Sequence, residues 1–80
     1  MADSRVIFDK VCEYIAGQLP VKKQDITMDS RIIEDLSADS ANLMMLIMDL
    51  ENEYNITVED DALGSIKTVG DIVDYIEKHT

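Results

Sequence analysis

The sequence lacks tryptophan and holds one histidine, one cysteine, one proline and one phenylalanine in 80 residues. Each scarcity removes a chemistry. With Cys12 alone there is no intramolecular disulfide, and a thiol inside a helical pattern reads as a buried, inert one. A Ser-His-Asp or Cys-His site needs a histidine held in place, and His79 falls in what reads as a C-terminal tail. Zinc needs clustered Cys and His, so no metal centre of that kind is expected. No apolar run reaches the 18 or so residues of a membrane span. The stretch from Met1 to Ser4 has neither the basic nor the apolar region of a secretory signal, so a cytoplasmic setting is expected.

Bases are scarce too. Seven Lys and Arg oppose seventeen Asp and Glu, a formal charge of −10. That balance excludes nucleic acid as a partner, since phosphates require a basic surface. It equally repels an anionic membrane and favours protein partners that carry basic patches. Calcium is the cation to consider. A twelve-residue loop begun at Asp35 places Ser37 and Asp39 at ligand positions, but then has Ser40 where the glycine belongs and Leu46 where the closing Glu belongs.

What is present is a pattern of helices in one domain spanning 1–80. Ile7, Val11, Ile15 and Leu19 recur every four residues over Ser4 to Leu19, with Asp3 or Ser4 as cap and Pro20 as stop. Residues 21–38 show no clear period, yet they carry Val21, Ile26, Met28, Ile32, Ile33 and Leu36, which predicts an ordered loop draped over the core. Asp39 caps a second helix running to about Tyr54, with Leu43, Leu46, Ile47, Leu50 and Tyr54 on its inner face. A short helix is expected over Asp60 to Ile66. A last one runs from Thr68 to about Lys78, opened by a Thr68–Asp71 capping box. The fold class is therefore all-α: a small four-helix bundle of three longer helices and one short helix, with a long ordered loop between helices 1 and 2.

Ser40 falls at the first position of the second helix. Its hydroxyl faces solvent beside the positive end of the helix dipole, where a phosphate ester is well tolerated. No base, metal or triad accompanies it, so Ser40 reads as an anchor rather than a nucleophile.

Glu34-Asp35-Leu36 and Asp39-Ser40 carry a resemblance that extends over nearly the whole chain. It includes Gln18-Leu19, Val21-Lys22, the approach from Ile32 to Leu36, Leu50-Glu51-Asn52-Glu53-Tyr54, Ile66-Lys67-Thr68-Val69-Gly70-Asp71 and Val73-Asp74-Tyr75-Ile76. Together these resemble the acyl carrier proteins. The resemblance implies a 4'-phosphopantetheine arm on Ser40, transferred from coenzyme A by a phosphopantetheinyl transferase that also reads Asp39. It implies a monomer that presents acyl groups, as thioesters, to enzymes of fatty-acid or related acyl and polyketide synthesis. Partner recognition is expected at Asp35, Ala41, Asn42, Met44, Met45, Met48, Asp49, Glu51, Glu53, Asp60 and Asp61. An acyl-chain cavity is expected among Val11, Ile32, Leu50, Val58, Leu63, Ile66, Ile72 and Ile76, each of which is also a core residue. Met44 and Met48 read equally as core packing. Four positions depart from the usual pattern: Ala41, Asn42, Met45 and Ser37, which stands where Gly is common. The competing expectation is an acidic interaction module or divalent-cation-binding bundle that makes no use of Ser40.

Overall fold

A computed structural model describes residues 3–80. It holds four α-helices: α1 (Ser4–Gln18), α2 (Ser40–Tyr54), α3 (Asp60–Leu63) and α4 (Val69–His79), with a 3₁₀ turn at Lys23–Asp25. The two longer partners of α1 both approach it, α4 more extensively than α2. Among the described residues there is no β-strand, only an isolated antiparallel bridge between Arg31 and Thr68.

Local chemistry sets the helix ends. The Asp3 carboxylate accepts from the Arg5 amide at 2.8 Å and caps α1. The helix stops at Gln18, one residue short of expectation, because Leu19 precedes Pro20 and is driven into extended backbone (φ −118°, ψ 152°). The short helix also ends earlier than expected, at Leu63. The winding continues to Ile66 as tight i→i+3 turns, Ser65 donating to Ala62 and Ile66 to Leu63. α4 opens with the expected capping box, Asp71 N–H to Thr68 Oγ1 and Thr68 N–H to Asp71 Oδ2, both 3.1 Å. His79 is not in a tail. It closes α4, stacked on Tyr75 with ring centroids 4.0 Å apart.

The core draws on every long element: Ile7, Val11, Cys12 and Ile15 from α1, Leu46, Ile47 and Leu50 from α2, and Val69, Ile72, Val73 and Ile76 from α4. Each such side chain, fully buried, contributes about 1.5–3 kcal/mol. The long loop is ordered as expected and adds Ile26, Ile32, Leu36 and Ala38 to the core. Met28 and Ile33 do not join it. They are 43% and 51% exposed, because the backbone between the buried positions turns them outward. Cys12 is buried, and burial pushes its thiol up to about 11.

The loop is tied down by backbone. The Ile32 amide donates to Lys67 O, Val69 to Ser30 O and Gly70 to Met28 O, at 3.0, 3.0 and 2.8 Å. The last contact requires a glycine: a Cβ on Gly70 would lie 2.9 Å from the Met28 carbonyl oxygen. This stitch holds residues 28–32 against the start of α4 and so fixes the segment that leads to Ser40.

Candidate functional site

Leu36 and Ala38 are buried and anchor the last turn before α2. Between them Ser37 is in the left-handed region (φ 59°), a conformation that costs a residue bearing a Cβ. Asp35 and Leu36 both donate to Arg31 O, and Ala38 donates to Ile32 O. The chain thus arrives at Asp39 in a fixed direction.

Asp39 is the N-cap of α2, as expected. Its Oδ1 accepts from the Asn42 amide at 2.8 Å, while Asn42 Oδ1 accepts from the Asp39 amide at 3.3 Å. Asn42 therefore completes a capping box, a role the sequence hid because Asn is shorter than the Glu or Gln usual there. The Asp39 carbonyl takes the Leu43 amide. Among the described residues the amides of Ser40 and Ala41 have no protein partner. Ser40 is exposed at the first helical position, beside those two donors. A phosphodiester on its hydroxyl fits this arrangement, with free amides and the dipole at hand.

The predicted recognition residues divide sharply. Met44, Met45 and Met48 are exposed by 45%, 56% and 56%, so none packs in the core. Asp60 and Asp61 are exposed in the first turn of α3 and form no ion pair among the described residues. The other acids are bonded within the chain. The backbone N–H of Arg31, and then its guanidinium, hold the Asp35 carboxyl below the usual carboxylate range. Asp49 accepts from Gln18 Nε2 at 3.1 Å. Glu51 Oε2 accepts from the Val58 amide at 2.8 Å and braces the link after α2. Glu53 accepts from the Tyr14 hydroxyl and pairs with Lys10 at 3.3 Å, and that bond is the chief reason the Lys10 ammonium is raised.

The predicted cavity residues meet in one core. Val11, Ile32, Leu50, Ile66, Ile72 and Ile76 are buried, whereas Val58 and Leu63 are half-buried at its edge. Ile66 also borders an open groove of about 280 Å³ with Arg31, Ile33, Glu34 and Lys67. Among the described residues no three Asp, Glu, His or Cys side chains group as metal ligands. No helix among them is long and apolar enough to cross a membrane.

The family described as "Phosphopantetheine attachment site" matches residues 9–76. Two curated proteins named "Acyl carrier protein" are similar over most of their length. That of Clostridium perfringens strain 13 is 47% identical over 74 residues, 92% of this chain and 97% of the relative. That of Thermotoga maritima is 46% identical over 78 residues, covering 98% and 96%. A solved structure of the acyl carrier protein from Enterococcus faecalis superposes with a TM-score of 0.84 at 29% identity, over 99% of this chain and 100% of that one.

Proposed function

This chain belongs to the phosphopantetheine-attachment family, among the acyl carrier proteins, and from that premise we propose that Ser40 is the residue that bears its arm. The protein is a carrier and not a catalyst. When attached, 4'-phosphopantetheine supplies a flexible thiol that holds an acyl group as a thioester. The observation that carries the choice of Ser40 is the exposed first turn of α2, with the Ser40 and Ala41 amides open and the third amide satisfied by Asp39. Asp39 and Asn42 keep the helix from fraying there, and Ser37 to Ala38 aim it.

The proposed domain spans 1–80 and acts as a cytoplasmic monomer in fatty-acid synthesis or a related acyl pathway. Its partners are a phosphopantetheinyl transferase and acyl-synthesis enzymes whose basic residues meet Asp60 and Asp61. Half-buried Val58 and Leu63 form the edge at which the core opens for a stowed acyl chain, lined further in by Leu50, Ile66 and Ile72. Incubation with coenzyme A and a broad-specificity phosphopantetheinyl transferase should add the mass of one arm to the wild type. Ser40→Ala should gain nothing while keeping its helical circular dichroism and melting temperature. Loading of Ser40→Ala, or none on wild type with several transferases, refutes the assignment.

A further inference from the structure

Ser37 is held in a backbone conformation that its own chemistry does not favour. At φ 59° its Cβ crowds the neighbouring carbonyl. The other non-glycine residue with positive φ among the described residues, Asn55, is of a type enriched there. Ser37 is exposed, so burial of its side chain does not offset the cost. The hold comes from its neighbours. Ala38, buried, donates to Ile32 O at 3.2 Å. Leu36, also buried, donates to Arg31 O at 3.1 Å, and Asp35 donates to the same oxygen at 2.7 Å. The Asp35 carboxylate then closes this ring from the other side. Its Oδ2 accepts from the Arg31 amide at 2.9 Å and from Arg31 Nε at 3.4 Å. Arg31 is the only base between Lys23 and Lys67, and it is committed to this turn, since it also pairs with Glu34. The far side of the ring is fastened to the start of α4 by the bridge from Arg31 to Thr68. Ser37 stands two residues before the N-cap Asp39. Relaxing its φ would re-aim the chain and turn the Asp39 carboxylate off the Asn42 amide.

We infer that Asp35 is a positioning residue for attachment at Ser40: by closing the turn on Arg31 it holds Ser37 in the left-handed region and keeps the first turn of α2 formed. The resemblance puts this acid among those that face a partner, whereas its bonds run into its own chain. Its effect on Ser40 passes through the backbone of Ser37, with no contact to the serine or to an incoming enzyme required. The inference rests on the reading of Ser40 as the bearer of the arm, yet the hold of position 35 on position 37 is measurable without attachment.

The test couples the two positions. With coenzyme A and a phosphopantetheinyl transferase, Asp35→Ala should lower kcat/KM for arm uptake about fivefold, as loss of a hydrogen-bonded closure does. Asp35→Asn should stay within about twofold, because its amide oxygen still accepts from the Arg31 amide. Ser37→Gly adopts positive φ freely, so alone it should change uptake by less than about twofold. Added to Asp35→Ala, it should return uptake to within about twofold of wild type, since the strain that Asp35 holds is gone. A carboxylate that met a basic partner directly would give the opposite pattern, with Asn as poor as Ala and no rescue from position 37. Amide hydrogen exchange reads the same coupling with no transferase present. Asp35→Ala should speed exchange at the Ala38 and Asn42 amides about fivefold, and Ser37→Gly should restore it. The inference falls if Asp35→Asn loses as much as Asp35→Ala, or if Asp35→Ala leaves uptake or exchange at the wild-type value. It also falls if Ser37→Gly restores exchange but not uptake, which would make Asp35 a brace of the loop alone. A wild type that takes up no arm refutes the attachment reading, while exchange still decides whether position 35 holds position 37.

Discussion

The N-termini of α2 and α4 are built alike and used differently. Each has a reciprocal capping box, Asp39 with Asn42 and Thr68 with Asp71. Each leaves the first two helical amides outside the box. At α4 those amides, of Val69 and Gly70, donate to Ser30 O and Met28 O and bind the long loop. At α2 the equivalent amides, of Ser40 and Ala41, remain open among the described residues. The second helical position is telling. It is Gly70 where the backbone of the loop presses in, and Ala41 where nothing approaches closely enough to bury it. The same local chemistry thus ties down a loop at one end and leaves its amides open at the other, and packing decides which.

The largest way to break this comparison is at the second position. Gly70→Ala sets a methyl against Met28 O and should cost about 1–3 kcal/mol, as overpacking does. Ala41→Gly should cost no more than about 1 kcal/mol, the helix-propensity difference. Chemical denaturation compares the two, and equal losses would mean that both ends are held alike. The caps come next. Asp39→Ala and Thr68→Ala should each lose about 1 kcal/mol. Amide hydrogen exchange should sharpen the contrast, with opening confined to the first turn of α2 in the former and spreading into residues 28–32 in the latter. The smallest effect concerns acid. The Lys67 and Thr68 amides hold the Asp71 carboxyl below its usual range. Its contribution is present above the unfolded value of about 3.9 and is lost as pH falls through the lower folded value. Asp71→Asn should therefore flatten the stability profile below about pH 4. An unchanged acid limb would remove Asp71 from the account.

Much of this was legible in the sequence, and for local reasons. Caps, stops and helical periods depend on neighbours a few residues apart, so Asp39, Pro20, Thr68 and the inner face of α2 could be read directly. Ser40 could be placed for the same reason. What could not be read depends on residues far apart in the chain. Nothing local shows that Lys10 and Tyr14 engage Glu53, or that Gln18 engages Asp49, so acids expected to face a partner are bonded within the chain. The Arg31–Thr68 bridge joins two segments with no shared motif, which left the need for Gly70 invisible. The methionines were ambiguous because α2 is apolar on both sides, and a period alone cannot say which side meets water.

The pairing of α1 with α4 also has a consequence in time. The most extensive helix contact joins the first helix of the domain to the last. Synthesis proceeds from the N-terminus, so α1 leaves the ribosome long before its main partner exists. Until α4 emerges, neither the stitch at 67–70 nor the α1–α4 face can form, and Ser40 sits on unsupported chain. A modifying enzyme that recognises the folded start of α2 therefore has no folded target until α4 has emerged. The topology alone thus orders the support of the α2 start after the synthesis of α4.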